Sequence, residues 1–310
     1  MKLLQPITQG SKQYVFRTLP NFFAPHTNPS VKNIHLVTLL CHKDISMFLY
    51  TIESLFYFIK KSLPIAIIND GTLTQQDIFT LQKHFSVSIF STGMIERKLS
   101  RIFSKYPAIE HFITAEFTPI IKWKIAFMLL ERYPKYIFID SDILFFSPPE
   151  EIIDWIERPK KYCLNMEYNQ RLRTKKYNDD DNYLDLYHSY RELLKVTYFK
   201  NTNTLFNNGI LCVPDPKLIR AERLNKIFSI LDKTWFDTQF GTDEFTLSCA
   251  LTKANSVSLP KDKYTIQLTS LRPEQLPAIC KHYCWRAKLL FPLDAIRLAV
   301  RTRLFSQPLS

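Results

Sequence analysis

Three apolar runs restrict this fold more than anything else in the sequence: "NIHLVTLLCH" (33–42), "PIAIINDGTLT" (64–74), which closes on the turn signal Asn69-Asp70-Gly71, and "YIFID" (136–140), whose apolar character is continuous. Strands that are apolar without alternation suit a sheet buried on both faces, which is the environment of parallel strands. The segments between them read as helices. "ISMFLYTIESLFYFIKK" (45–61) has apolar residues at helical spacing, with Glu53 and the lysines on the other side. "TQQDIFTLQKHF" (74–85) starts with Thr74 as N-cap and Asp77 three residues on, close to a capping box. "VSIFST" (87–92) is a third short strand, and "PIIKWKIAFMLLERY" (119–133) is the clearest helix, with Pro119 suited to its first turn. Strand, helix, strand at this rhythm predicts an α/β layered domain built on a mixed, mainly parallel sheet flanked by helices.

In such sheets ligands bind beyond the carboxyl ends of the strands. "YIFIDSDILFF" places Asp140 and Asp142 at such an end, one residue apart. In extended chain, i and i+2 side chains point the same way, so two like charges are held close unless a cation lies between them. Hard divalent cations take oxygen ligands and keep substrate phosphates as further ligands. A turn cap at Asp140 with a solvated charge at Asp142 accounts for Asp-x-Asp equally well. The apolar runs on both sides favour a pair held at the edge of a core, with Asp140 ending the strand and Asp142 facing a ligand.

Composition narrows the partners. The chain has 310 residues, 46% hydrophobic and 14% aromatic, enough for one enlarged domain or one domain with appendages. No run of about twenty uncharged apolar residues is present, and "MKLLQPITQGSKQYVF" lacks the apolar core of a secretory leader, so a cytoplasmic protein is expected. The six cysteines are scattered among apolar neighbours and read as reduced core thiols. Cys280 and Cys284 flank His282, but no second ligand pair at zinc-finger spacing accompanies them. A net charge of +12 and a pI near 9.3 call for an anionic partner: nucleic acid, a membrane surface or phosphorylated small molecules. No nucleic-acid-binding motif is visible, so nucleic acid is not expected.

These segments together resemble the GT-A glycosyltransferases, above all their glycogenin-like and galactosyltransferase-like retaining members. "YIFIDSDILFF" is similar to the family's metal-binding strand end, and Lys124 stands sixteen residues before Asp140, where that group carries a basic residue directed at the donor. Asn207-Asn208-Gly209 resembles its Asn-x-Gly motif, and Asp243-Glu244 its Asp-Gln motif. "HYCWRAK", with Lys288 six residues after His282, resembles its closing segment. The match runs in order from about residue 33 to 290. The chain departs from the pattern at Glu244 (Gln in the family), Trp285 (Gly), Leu289-Leu290 (Pro-Trp) and Thr265 (Asn), which leaves donor sugar and stereochemical outcome open.

The resemblance implies transfer of a sugar from a nucleotide-diphosphate sugar, UDP-sugar first, to a hydroxyl of a carbohydrate, glycolipid or small-molecule acceptor. Asp140, Asp142 and His282 would hold Mn2+ or Mg2+, the imidazole favouring manganese. Lys124 and Lys288 would contact the diphosphate as point charges, with Lys122 an alternative to Lys124; Ser141 belongs to the same segment, its own part structural. Thr38, with Leu39, and Asp70 mark the edge where nucleotide base and ribose would lie. Asn207, Asp243 and Glu244 would border the sugar: Asp243 as donor contact, Glu244 as alternative base. Each also has an ordinary reading, Asn207 as a turn residue and Asp243 as a helix cap.

Domain limits follow: 1–32 an N-terminal extension, 33–290 the glycosyltransferase-like domain with a polar acceptor-side insertion at about 167–204, and 291–310 a basic amphipathic tail. The tail suits a peripheral membrane contact and a packed terminal helix alike. Asp179, Asp180 and Asp181 in the insertion read as a solvated loop rather than a second metal site. Two other functions stay in view: a sugar-nucleotide nucleotidyltransferase, disfavoured by five unclustered glycines, and a basic nucleic-acid binder without catalysis.

Overall fold

The computed structural model describes residues 9–115, 121–158, 160–167, 206–231, 242–251, 256–267 and 278–302. The expected insertion, except Glu167, and the end of the tail lie outside them.

The apolar runs are strands β1 (His35–Leu40), β2 (Ile65–Asn69), β3 (Val87–Ser91) and β4 (Tyr136–Ile139), joined by α2 (Ile45–Ile59), α3 (Gln75–His84) and a helical stretch of α4 (Thr92–Lys105), α5 (Pro107–Thr114) and α6 (Lys122–Met128). With β6 (Cys163–Glu167), β7 (Phe206–Val213) and β8 (Ser256–Ser258) they make a seven-stranded sheet of order β3-β2-β1-β4-β7-β6-β8. Every neighbouring pair is parallel except β4–β7 and β6–β7, so β7 alone runs backwards. A second sheet of order β5-β10-β9 is built from β5 (Ile143–Phe145), β9 (Tyr264–Gln267) and β10 (Cys280–Tyr283).

The sheet is covered on both faces, as the apolar runs require. Leu36, Ile65, Ile67, Ile137 and Ile139 join one core with α2, while Val37, Ala66, Ile68 and Phe138 join the other with α4, α5 and α6. Each of these side chains other than Ala66 contributes about 1.5–3 kcal/mol.

The helix expected at 119–133 ends at Met128 as an α-helix, and Glu131 takes a φ of 47°; Pro119 lies outside the described residues. Glu53, expected on the polar side of α2, is buried. It can be there because His26 Nε2 lies 3.0 Å from its Oε2, giving the carboxylate a partner inside. The short helix α1 (Gln9–Thr18) and residues up to His26 add Phe16 and Phe23 to the core of the main domain. The remaining helices are α7 (Glu150–Glu157), α8 (Ala221–Ile230), α9 (Thr242–Ala250) and α10 (Phe291–Thr302). Helix α10 buries Phe291, Ala295, Leu298 and Ala299. Among the described residues no helix is long and apolar enough to cross a membrane.

The start of α3 is a full capping box: Asp77 N–H donates to Thr74 Oγ1 at 3.2 Å and Thr74 N–H donates to Asp77 Oδ2 at 2.7 Å. Burial would raise the Asp77 carboxyl, but the Thr74 N–H and the His42 ring hold it below the usual carboxylate value. Its stabilisation is therefore complete above the ordinary carboxylate range and is lost as pH falls through the depressed value. Asp77→Ala is expected to lower stability by about 1 kcal/mol at pH 7. In urea titrations its difference from wild type should shrink as pH is lowered towards 3; a difference independent of pH would contradict the assignment.

Candidate metal and diphosphate site

Asp140 and Asp142 occupy the tight turn by which the chain leaves β4 in the large sheet and enters β5 in the small one. Helix α2 holds that turn with buried hydroxyls. Thr51 Oγ1 donates to the Ser141 carbonyl (2.8 Å) and accepts from Ile143 N–H (3.3 Å), and Ser54 Oγ accepts from Phe145 N–H (3.2 Å). These bonds supply partners for strand backbone that no neighbouring strand reaches.

His282 arrives from β10, opposite Ile143 in the antiparallel pairing with β5. Tyr283 N–H donates to the Asp142 carbonyl at 2.9 Å. His282 Nε2 then lies 3.1 Å from Asp142 Oδ1 and 3.6 Å from Asp140 Oδ2. One ligand atom from each residue fits within 4.8 Å of the others.

Strand β7 closes the back of the site. Because it runs backwards, its first residues lie at the carboxyl end of β4, and Asp140 N–H donates to the Gly209 carbonyl at 2.9 Å. Gly209 N–H donates to Asn207 Oδ1 at 2.9 Å, which identifies that atom as oxygen. His282 Nδ1, 2.7 Å away, must then carry a proton and donate to it. In the neutral ring this leaves the Nε2 lone pair facing two carboxylates, an arrangement that requires a proton or a metal ion between them. Asp142 Oδ1 is buried and makes no conventional hydrogen bond. Two oxygens and one imidazole nitrogen are a ligand set for a divalent ion such as manganese, so the residues fit a cation at this point.

Two lysines border the cluster. Lys124 Nζ pairs with Asp140 Oδ1, and Lys288 Nζ lies 2.9 Å from Asp142 Oδ2. Burial would raise the Asp142 carboxyl, yet His282 and Lys288 hold it far below the usual range. Burial would lower Lys288, but Asp142 and Asp44 raise it above its ordinary value. For His282, burial lowers the pKa and is outweighed by Cys284 and Asp142, which raise it.

Not every expectation fits this geometry. Asp142 has the more buried side chain, 7% exposed against 21% for Asp140, because the turn folds Asp142 under β10. Lys122 donates to the Ala115 carbonyl at 2.7 Å, away from the carboxylates, leaving Lys124 as the basic residue at the site. The Ser141 hydroxyl donates to Asp44 Oδ2 at 3.3 Å. Asn207 is brought to the back of His282. Thr38 is fully buried inside β1, two residues before the strand ends at Leu40, so its side chain does not reach the rim. Asp70 follows β2, its Oδ1 accepting from Thr72 N–H and Oγ1 at 2.8 and 2.7 Å. Asp243 and Glu244 fall in the first turn of α9, their side chains outside the described residues. Among the described residues, the cluster of possible metal ligands contains no cysteine.

Asp44, before α2, went unnoticed in the sequence. Its Oδ2 lies 3.8 Å from Lys288 Nζ. The only local cue was a carboxylate at the end of the first apolar run.

No protein-family model matches this chain, and no curated protein sequence does. Solved structures do resemble it. The galactosyltransferase LgtC, in complex with donor and acceptor sugar analogues, is 11% identical with a TM-score of 0.53, over 88% of this chain and 97% of that one. The bifunctional glycosyltransferase WbbM, in its apo form, is 14% identical with a TM-score of 0.56, over 92% of this chain and 53% of that one. The chain thus spans about half of WbbM. The likeness establishes the fold, which is that of the GT-A glycosyltransferases.

Proposed function

We propose that this protein is a metal-dependent glycosyltransferase, which moves a sugar from a nucleotide-diphosphate sugar to an acceptor hydroxyl. The observation that carries the reading is the meeting of Asp140, Asp142 and His282, with Lys124 and Lys288 beside them, at the carboxyl end of β4 in a GT-A fold. A similar structure, LgtC, was solved with donor and acceptor sugar analogues, which supports a sugar-nucleotide ligand here.

A bound Mn2+ or Mg2+ would act as a Lewis acid on the diphosphate leaving group. Asp140, Asp142 and His282 are the residues that would hold it, and Asn207 fixes the imidazole so that Nε2 faces inward. Lys288 and Lys124 add positive charge where the leaving group becomes negative, stabilisation that is preorganised because both ammonium groups are already held by carboxylates. Asp243 is assigned to the donor sugar, Glu244 to the acceptor hydroxyl as base, and the segment at about 167–204 to acceptor recognition. UDP is the first nucleotide to try, with Asp70 at the ribose edge. α10 buries apolar residues against the domain, which favours a packed terminal helix over a membrane contact.

A ligand selective for the folded state raises the melting temperature. With UDP, GDP and their hexose conjugates, each with and without Mn2+, at a hundredfold excess over Kd, one nucleotide is expected to raise Tm by roughly 4 °C, and only when the metal is present. No shift with any of them would overturn the reading. UTP and GTP are added to the same screen, where a shift confined to them would favour a nucleotidyltransferase; salt-sensitive binding of DNA or RNA in a separate titration would favour a nucleic-acid binder.

A further inference from the structure

Trp285 opens the 3-10 turn Trp285–Leu289 with a φ of 54°, in the left-handed region. A bulky side chain is an outlier there, because its Cβ crowds the following carbonyl oxygen. Glycine takes the same backbone without crowding. The indole is not retained for the core, since Trp285 is 67% exposed while Trp155 is fully buried. A large exposed ring on a strained backbone is stability given up at one particular place, and such places cluster at ligand sites.

Trp285 belongs to the segment that carries two residues of the site. Trp285 lies three residues after His282 and three before Lys288 on one continuous segment. A 3-10 turn has about three residues per turn and a rise of about 2 Å, so the Trp285 backbone is one turn, roughly 6 Å along the axis, from that of Lys288. The turn is tied down at its start, where Cys284 N–H donates to the Gln267 carbonyl at 2.9 Å, closed on itself by Leu290 N–H donating to the Ala287 carbonyl at 2.9 Å, and packed inward through buried Ala287. The ring is thus carried on a fixed support beside the lysine that reaches Asp142.

The geometry points to Trp285 as a stacking platform for a pyranose ring at the rim of the site, an inference that rests on the sugar-transfer reading above. The face of an indole is electron-rich and apolar. It repels a diphosphate, which the lysines and the cation site already suit, and it matches the weakly positive C–H bonds on the flat side of a sugar ring. In a 3-10 turn residues three apart share a face, so Trp285 is aligned with Lys288, the lysine that pairs with Asp142. The pyranose has two sources, the sugar of the donor and that of the acceptor.

Calorimetry on the full-length wild type, Trp285→Gly and Trp285→Ala, all with Mn2+, separates the sources. The ligands are UDP and GDP alone, then UDP-glucose, UDP-galactose and GDP-mannose, then methyl hexopyranosides added to the nucleoside diphosphate complex. Trp285→Gly is expected to melt no lower than wild type, since glycine relieves the backbone. Both variants should bind the bare nucleotide as wild type does. They should lose about fivefold or more in the affinity added by the donor's sugar, or in the affinity for the methyl glycosides, and whichever falls names the source. A lower Tm for Trp285→Gly with unchanged sugar binding would make the indole structural and overturn the platform. Weaker binding of bare UDP or GDP would make it a base contact and overturn it too. If wild type binds no nucleotide with Mn2+, the sugar-transfer reading itself has failed, and the platform with it.

Discussion

Replacing Asp140 and Asp142 together with asparagine should lower metal-dependent turnover of the nucleotide-sugar donor by a factor on the order of 10³ or more. The amides keep the size of the side chains and remove both negative charges, leaving one imidazole and two neutral, weaker oxygen donors. The variant also leaves buried Lys124 without its carboxylate partner, and a buried charge deprived of its partner is destabilising by about 3–5 kcal/mol. Activity loss alone would therefore be ambiguous. The decisive readout is the Mn2+-induced rise in Tm, with the fold of the variant checked well below its own melting point. It should vanish in Asp140→Asn/Asp142→Asn while circular dichroism at 20 °C stays that of the wild type. Turnover retained in a folded double variant would end the metal-site assignment.

Gly209→Ala should have the next largest effect although it alters neither a ligand nor a charge. A Cβ at Gly209 would come within 2.7 Å of His282 Cε1 and 2.8 Å of Asn207 Oδ1. All of these groups are fixed: the glycine carbonyl holds Asp140 N–H, and the Asn207 oxygen holds both Gly209 N–H and the imidazole. The extra methyl must push the imidazole out of line with the carboxylates. Disturbing a metal ligand through its supporting partner typically weakens metal affinity about 10- to 100-fold, and overpacking costs about 1–3 kcal/mol of stability. Manganese titration by calorimetry, with urea unfolding alongside, reads both. Unchanged manganese affinity would show that His282 is not a ligand.

The sequence reveals what depends on local pattern. β1, β2 and β4 were visible because strands covered on both faces cannot alternate, and the start of α3 because Thr74 and Asp77 bond to each other's backbone. Asp140, Asp142, Lys124, His282 and Lys288 were visible through spacing and resemblance. What stayed hidden was set by distant pairing. Nothing near Phe206 announces that β7 runs backwards, and nothing near Asp142 announces that β10 will cover it. Glu53 read as a solvated charge because its partner, His26, comes from a segment with no helical or strand period of its own. Thr51 and Ser54 looked like ordinary helix residues, although their hydroxyls fasten the turn that carries both aspartates.

The small sheet gives the site a history in time. Asp140 and Asp142 lie in the turn between β4 and β5, in the first half of the chain, whereas His282 and Lys288 are made after every described strand of the large sheet. During synthesis the two carboxylates must therefore wait, close together and incompletely neutralised, until β10 inserts between β5 and β9. A chain that stops before Cys280 contains the whole seven-stranded sheet and only the acidic half of the cation site. Fold and site are thus completed separately, and the last short strand is the one that joins them.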